Sequence, residues 1–155
     1  MVTSASVLFV CLGNICRSPL AEAAFRDAAG RAGLAVQVDS AGTGGWHIGE
    51  APDPRACAVA AEHGIDITGF RGRQIERTDF TRFSHIFALD HANLTDLRRI
   101  APADTSARLA LLLDIVPGRA GQSVADPYYG GPEDFAQTWN EVARAAEMLV
   151  THLAG

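Results

Sequence analysis

Hydrophobic and polar residues follow one another along this chain in blocks that predict short strands separated by helices. The run Val7–Val10 is continuously apolar and partly β-branched, which is the pattern of a strand buried on both faces. Three further segments predict strands at Val36–Val38, ending near Ser40, at Ile86–Leu89 and at Leu109–Leu113. Strands spaced in this way by helical segments are expected to pair in parallel.

The segments between the strands carry helix start and stop signals. Ser18 precedes a proline and predicts a capped helix over residues 19–29. The pair Asp53-Pro54 opens a helix that ends at Gly64, and Asp90 caps another that runs to residue 100. The C-terminal segment opens at Pro132 and has apolar residues at spacings of three and four, which predicts a long helix with its core stripe at Phe135, Trp139, Val142, Ala146, Leu149 and Leu153.

This order of elements predicts an α/β protein with a small doubly wound, four-stranded parallel sheet, helices on both faces and a flavodoxin-like arrangement. A length of 155 residues predicts one domain spanning residues 1–155. Ligands of such sheets bind beyond the carboxyl ends of the strands. The segment that follows the first strand is therefore the expected site.

Charge and hydropathy exclude several classes of partner. The net charge of −5 argues against a nucleic-acid binder, because phosphate backbones are bound by surplus Lys and Arg. No apolar run reaches the ~18 residues that a membrane span needs. The first basic residue is Arg17, so the N-terminus lacks the charged start of a signal peptide, and we expect a cytoplasmic protein.

Residue usage narrows the chemistry further. All 13 basic residues are Arg, so the chain lacks the lysine that Schiff-base enzymes and nucleotide-binding P-loops use, and both classes are excluded. Three cysteines, without an export signal, favour reactive thiols over structural disulfides. The histidines show no spacing typical of metal ligands, so no metal is expected.

The segment after the first strand reads Cys11-Leu12-Gly13-Asn14-Ile15-Cys16-Arg17-Ser18. Gly13 and Asn14 tolerate positive φ, so the turn can direct successive backbone N–H groups toward one point. The following helix directs its positive end to the same point, and Arg17 adds a planar fork of donors suited to phosphate. We therefore expect all residues from Leu12 to Ser18 to form a bowl that binds phosphate or a similar oxyanion.

Cys11 is expected at the base of this bowl. The donors that hold a dianion also favour a thiolate, and a thiolate facing a bound phosphate is a nucleophile for phosphoryl transfer. Arg17 and the loop amides stabilise the charge on the phosphate oxygens, so this chemistry needs no cofactor. A lone cysteine at a strand end is usually only buried, but the spacing Cys-x5-Arg-Ser between a strand and a helix is far more specific.

The stretch from Val7 to Phe25, VLFVCLGNICRSPLAEAAF, closely resembles the phosphate loop of the low-molecular-weight protein tyrosine phosphatases. Further matches follow in the family's order at Asp39–Thr43, Pro52–Arg55, His63–Ile65, Arg73–Ile75 and Asp126–Gly130. The resemblance spans nearly the whole chain. It implies the family's four-stranded parallel sheet and its two-step phosphoesterase chemistry.

The resemblance also implies roles for individual residues. Cys11 would be the nucleophile, Arg17 the phosphate ligand and Asp126 the general acid, which protonates the leaving oxygen and then activates water. The loop would be supported by Asn14, Ser18 and Ser40, with Ser18 hydrogen-bonded to the Cys11 sulfur. Members of the family often carry a histidine where this chain has Phe70, and a phenylalanine cannot join the network around Asn14. We therefore expect the loop to be held less firmly here.

The pocket walls predict the substrate class. A cysteine at the floor of a deep bowl is reached only by a phosphate on a long side chain, and the segments that match the family's walls supply Leu12, Ile15, Trp46, Tyr128 and Tyr129. Aromatic walls favour an aryl ring. Ile15 stands where members that resemble phosphoarginine phosphatases carry threonine. Tyrosine-phosphorylated proteins or peptides are therefore the expected partners.

Three other functions fit parts of the sequence. An arsenate reductase on the same fold passes oxidation through further cysteines after the third strand, where 86–97 has none. A phosphoarginine phosphatase would share the loop. A non-catalytic phosphoprotein binder would be expected to lose Cys11, Arg17 or Asp126, and all three are present.

A second thiol in the loop suggests redox control. Cys11 and Cys16 lie at opposite sides of a six-residue curl, so Cys16 is a candidate to capture a sulfenic acid on Cys11 as a disulfide. The alternative is that Cys16 only packs. The sequence favours neither.

Overall fold

The chain folds into a parallel sheet with helices on both faces. The computed structural model describes residues 2–155. The strands are β1 (Val2–Cys11), β2 (Ala35–Gly42), β3 (His85–Ala88) and β4 (Arg108–Leu111), all parallel and in the order β2-β1-β3-β4. This order confirms the predicted doubly wound, four-stranded fold, with β1 in a central position.

Within the described residues, five α-helices cover the two faces of the sheet: α1 (Arg17–Arg31), α2 (Pro54–Glu62), α3 (Asp79–Arg82), α4 (His91–Ile100) and α5 (Pro132–Ala154). Side chains of β1 alternate between two apolar cores. Val7 and Phe9 pack in the core formed with α1 and α5, whereas Leu8 and Val10 pack in the core with α4. The continuous apolar run of β1 is thus explained by burial on both faces.

The C-terminal helix matches the sequence prediction closely. It begins at Pro132, and the side chains of its predicted core stripe from Phe135 to Leu149 are buried. No helix within residues 2–155 is long and apolar enough to cross a bilayer.

The start of α1 differs from its sequence prediction. The helix begins at Arg17 and not at Pro19, and its N-cap residue, Cys16, makes no capping hydrogen bond through its side chain. Ser18 is not a cap because its hydroxyl lies inside the segment from Cys11 to Ser18, called the phosphate loop below, at 3.0 Å from the Cys11 sulfur. The first turn of α1 therefore belongs to the loop as well as to the helix.

Two further differences concern short elements. The apolar run predicted as a strand to residue 113 leaves the sheet at Leu111, and Leu112–Ile115 form a 3-10 turn. Helix α3 has only four residues, too few for its periodicity to be recognised in the sequence. Both elements are set by tertiary contacts rather than by hydrophobic spacing.

Asp79 of α3 explains why that turn forms. Its buried carboxylate accepts hydrogen bonds from Nη1 and Nη2 of Arg73 at 3.0 and 3.1 Å, and from the amide of Glu76 at 2.8 Å. These bonds hold the segment 73–76 beside the end of β2, where Gly42 and Gln74 form an isolated bridge. The same segment carries the Arg73 amide, which contacts the phosphate loop.

We expect Asp79→Ala to lower the free energy of unfolding by about 3 kcal/mol, because Nη1 and Nη2 of the half-buried Arg73 and the Glu76 amide lose their acceptor, while Nε of Arg73 keeps its 3.0 Å bond to Asp39. Urea denaturation measures the change. The matched control is Asp96→Ala, which removes an exposed ion pair with Arg99 at 3.1 Å and should have little effect. Equal losses in the two variants would contradict this account of α3.

Candidate active site

The segment from Cys11 to Ser18, here called the phosphate loop, bends sharply at Asn14. Asn14 has a φ of 58°, and it is the one non-glycine residue between positions 2 and 155 with a positive φ. Gly13 tolerates the same conformation but does not adopt it, since it is not among the glycines with a positive φ. Its lack of a side chain serves close packing, since a Cβ at Gly13 would lie 3.1 Å from Cδ2 of His47.

Backbone amides of the phosphate loop form a concentrated donor surface. Before the start of α1, the amides of Leu12, Gly13, Ile15 and Cys16 donate no hydrogen bond to any part of the chain that the structure describes. The amides of the first turn of α1 also lack intrahelical acceptors, as in any helix. Such a cluster at a helix N-terminus is suited to an oxyanion.

Cys11 lies at the floor of the loop and is almost fully buried. Its sulfur is 3.0 Å from the Ser18 hydroxyl and accepts a hydrogen bond from the amide of Asn14 at 3.3 Å. Donors directed at a sulfur favour its thiolate form. The arrangement therefore supports a nucleophilic sulfur directed at whatever the loop binds.

Asn14 is held by three side-chain hydrogen bonds. Its Nδ2 donates to the hydroxyls of Ser18 at 2.8 Å and Ser40 at 3.1 Å. Its Oδ1 accepts from the amide of Arg73 at 3.0 Å. The Ser40 hydroxyl in turn donates to the carboxylate of Glu22 at 2.7 Å. The positive φ of Asn14 is thus fixed by contacts with β2, α1 and the segment before α3.

Glu22 is a part of this network that the sequence reasoning missed. It is buried on α1, and its other oxygen accepts a hydrogen bond from Nε of Arg26 at 2.8 Å. Burial raises the pKa of Glu22 above its usual range. The available signal was that Glu22 is the one charged residue in the otherwise apolar run 19–25.

Phe70 lies beside this network and takes no part in it. It lines a small cavity of about 100 Å³ together with Asn14, Glu22 and Ser40. Each polar atom of the Asn14 carboxamide has its hydrogen bond without residue 70. The looser loop that we expected from Phe70 therefore has no counterpart in these contacts.

Arg17 is buried and fixed by two acceptors. Its Nη1 donates to Oδ2 of Asp90 at 2.8 Å and to the carbonyl of Val124 at 2.9 Å. Sequence reasoning assigned Asp90 only as the cap of α4, and its Oδ1 does accept from the amide of Asn93 at 2.7 Å. Its position after β3, at the edge of the sheet where ligands bind, was the signal for a second role.

Asp126 lies across the cavity from the phosphate loop. Its Oδ2 is 3.8 Å from Nη2 of Arg17, and its Oδ1 accepts from the amide of Tyr128 at 3.1 Å. Its side chain is 47% exposed, unlike that of Arg17 at 4%. A carboxyl in this position faces both the cavity and solvent, as an exchange of protons with water requires.

All five predicted wall residues line one cavity of about 250 Å³, together with Cys11, Arg17 and Asp126. The wall residues are Leu12, Ile15, Trp46, Tyr128 and Tyr129. Trp46 is 69% exposed and Tyr129 95% exposed, so aromatic surface stands free at the mouth. His47 also lines the cavity, which no sequence pattern predicted, and its Nδ1 lies 3.0 Å from a carboxylate oxygen of Glu50.

Cys16 is buried next to the same cavity. Burial, together with the nearby Asp53 and Cys11, raises the pKa of Cys16 to about 12. Cys16 is therefore a neutral thiol at neutral pH. No group of three or more His, Cys, Asp or Glu within residues 2–155 is arranged to hold a metal ion.

A parallel sheet that presents a cysteine, an arginine and a ring of backbone amides at the end of its first strand defines the class of cysteine-dependent phosphatases. The family model described as "Low molecular weight phosphotyrosine protein phosphatase" matches residues 6–155. The chain is also 46% identical over 149 residues to the low molecular weight protein-tyrosine-phosphatase of Streptomyces coelicolor, covering 93% of this chain and 90% of that protein. The chain belongs to the low molecular weight phosphotyrosine protein phosphatase family, which confirms the resemblance found in the sequence.

Solved structures agree with this assignment. YfkJ from Bacillus subtilis, named a low molecular weight protein-tyrosine-phosphatase, superposes with a TM-score of 0.89 at 39% identity, covering 97% of this chain and 94% of that one. The drosophila arginine phosphatase DARP superposes with a TM-score of 0.91 at 32% identity, covering 97% of this chain and 98% of that one. The same fold thus occurs in proteins named for two different phosphoryl substrates.

Proposed function

We propose that this chain is a protein tyrosine phosphatase that hydrolyses phosphotyrosine through a phosphocysteine intermediate on Cys11. The observation that carries the proposal is the convergence of Cys11, Arg17 and Asp126 on one cavity floored by loop amides. A thiolate, a fixed guanidinium and a carboxyl are the three groups that two-step phosphoester hydrolysis needs.

In the first step the Cys11 thiolate attacks phosphorus, and the bond from phosphorus to the phenolic oxygen breaks. The departing oxygen takes the proton of Asp126, while Arg17 and the loop amides stabilise the charge on the other three oxygens. Asp90 keeps the guanidinium in place through its 2.8 Å contact with Nη1. The Ser18 hydroxyl, 3.0 Å from the sulfur, is placed to stabilise the thiolate before and after attack.

In the second step water attacks the phosphocysteine. The Asp126 carboxylate takes the proton from this water, the S–P bond breaks, and Cys11 returns as a thiolate with release of orthophosphate. One carboxyl thus serves both steps because each step leaves it in the form that the next requires.

We expect Cys11→Ser to abolish turnover of para-nitrophenyl phosphate while leaving the fold intact, because a serine hydroxyl is not ionised at neutral pH. Rapid acid quench of the unaltered protein should trap a phosphocysteine, and turnover should persist in excess chelator. Circular dichroism of the variant is the control for folding. Residual turnover in Cys11→Ser, or no turnover in the unaltered protein, would contradict the proposed enzyme.

The walls of the cavity support an aryl ester as substrate. Cys11 is 3% exposed at the floor, whereas Trp46 and Tyr128 are 69% and 39% exposed at the mouth, so a long side chain is needed to bridge them. Phosphotyrosine reaches farther than phosphoserine and offers a flat ring. Ile15 presents an apolar branched side chain rather than a hydroxyl, which favours a ring over a polar guanidinium.

Trp46→Ala or Tyr128→Ala should raise KM for a phosphotyrosyl peptide about 2- to 12-fold, the loss expected for one aromatic contact, and should change para-nitrophenyl phosphate hydrolysis less. Peptides of one sequence that carry phosphotyrosine, phosphoserine or phosphoarginine provide the comparison. Similar kcat/KM on phosphoarginine and phosphotyrosine peptides would overturn this specificity and leave the Cys11 chemistry standing.

We also propose that Cys16 is the partner of Cys11 under oxidation. Hydrogen peroxide oxidises the Cys11 thiolate to a sulfenic acid, and attack by the Cys16 sulfur then forms a disulfide with loss of water. Because the pKa of Cys16 is about 12, only a small fraction of it is thiolate at neutral pH. Its capture of the sulfenic acid should therefore be slow and should accelerate as the pH rises.

We expect excess peroxide to inactivate the unaltered protein reversibly, with recovery on adding dithiothreitol, and to inactivate Cys16→Ala irreversibly. The lifetime of the sulfenic acid, followed by dimedone trapping, should shorten about tenfold per pH unit between roughly pH 6 and 8 as the thiolate fraction of Cys16 grows. Cys57→Ala is the matched control, since Cys57 lies on α2. Equal recovery in Cys16→Ala and the unaltered protein would leave Cys16 a packing residue.

A further inference from the structure

Asp126 must stand within hydrogen-bonding reach of a leaving oxygen, yet it lies on an exposed segment between the 3-10 turn and α5. The two ends of this segment are well fixed. The Val124 amide donates to the carbonyl of Leu89 at 2.8 Å, and the Gly131 amide donates to Oδ2 of Asp134 at 2.8 Å. The residues between these ends, 125–130, are here called the acid loop, and apart from Pro127 they are exposed.

Helix α2 contacts the acid loop through the side chain of Arg55 in its first turn. Its guanidinium carbon lies 5.4 Å from the centroid of the Tyr128 ring and 4.7 Å from that of Phe135. Its Nη1 also donates to the carbonyl of Gly130 at 3.4 Å. Arg55 thus contacts the acid loop by a cation–π interaction and a hydrogen bond, and contacts the start of α5 beside it.

Arg55 is held in turn by Asp53. Nε and Nη2 donate to the two carboxylate oxygens at 3.1 and 3.0 Å, which is the two-pronged geometry that arginine forms with a carboxylate. The same hydrogen bonds lower the pKa of Asp53, so the pair stays ionised through the pH range of an assay. The Asp53 amide donates to the carbonyl of Ile15 in the phosphate loop at 2.8 Å.

These contacts form one continuous path from the phosphate loop through Asp53 and Arg55 to the acid loop. We propose that Arg55 is a positioning residue that holds the acid loop against the phosphate loop and so sets the distance from Asp126 to the leaving oxygen. The inference rests on the proposed function. Proton transfer needs the two oxygens within about 3 Å, and a misplacement of about 1 Å costs up to ~100-fold in rate.

A role confined to protonation has a distinct kinetic signature. Loss of Arg55 should impair esters whose leaving group needs a proton and spare those whose leaving group departs as an anion. A purely structural role, such as fixing the first turn of α2, would lower both rates alike. Substituted phenyl phosphates of similar shape separate the two, because only the basicity of the leaving oxygen changes between them.

The experiment is a double-mutant cycle of Arg55→Ala and Asp126→Asn, followed by kcat/KM on phenyl phosphate and para-nitrophenyl phosphate. We expect Arg55→Ala to lower kcat/KM about tenfold on phenyl phosphate and about twofold or less on the nitrophenyl ester. In the Asp126→Asn background, Arg55→Ala should have no further effect on either ester. Arg55→Lys, which keeps the charge but loses the planar fork, should fall between Arg55→Ala and the unaltered protein.

Arg99→Ala is the matched control, because it also removes an exposed arginine paired with one aspartate, at 3.1 Å, on a helix far along the chain. It should leave both esters unchanged. Thermal unfolding is measured for all variants. If Arg55→Ala does not fold, Arg55→Gln replaces it in the same double-mutant cycle.

An equal loss from Arg55→Ala in both backgrounds, or an equal loss on both esters, would overturn the positioning role. So would unchanged kinetics with a lowered melting temperature. A failure of the proposed function looks different, since the unaltered protein would then hydrolyse neither ester.

Discussion

The site depends on one residue holding an unfavourable backbone conformation. Asn14 has a φ of 58°, and its amide donates a hydrogen bond to the Cys11 sulfur at the floor of the phosphate loop. A non-glycine residue in the left-handed region is uncommon and needs compensating contacts. The compensation comes from the carboxamide itself, which is bonded to Ser18, Ser40 and the Arg73 amide. A glycine would adopt the turn at lower cost but would lose all three bonds.

These three bonds give a structural role to segments that are distant from Asn14 in the sequence. Ser40 lies at the end of β2 and is oriented by Glu22, whose burial is tolerated because Ser40 and Arg26 both donate to it. The Arg73 amide is positioned by the bonds between its side chain and Asp79. The phosphate loop is therefore held by α1, by β2 and by the segment before α3, so the local turn depends on the completed fold.

Much of this arrangement was predictable from the sequence. The fold was predictable from the apolar run of β1 and the apolar stripe of α5, and the phosphate loop from the Cys-x5-Arg-Ser spacing. Each of these patterns depends only on residues that are close together in the sequence. The second acceptor role of Asp90, the Glu22 link and helix α3 were missed. Each depends on which segments meet in three dimensions, and hydrophobic spacing carries no information about that. The expected capping by Ser18 failed for the same reason, since its hydroxyl faces Cys11 rather than the helix amides.

Burial divides the site into two parts with different constraints. Cys11, Asn14, Arg17 and Ser18 are all less than 5% exposed, so a change at any of them leaves buried polar atoms without partners. Trp46 and Tyr129, at 69% and 95% exposed, have few such partners to lose. In the proposed mechanism the chemistry is therefore tied to the folded core, whereas the proposed selection among phosphoryl substrates falls to side chains that can be replaced without disturbing that core. The acid loop lies between these two parts. It is exposed like the walls, yet in the proposed mechanism its Asp126 acts at the buried centre, and the positioning role proposed for Arg55 of α2 would connect the two.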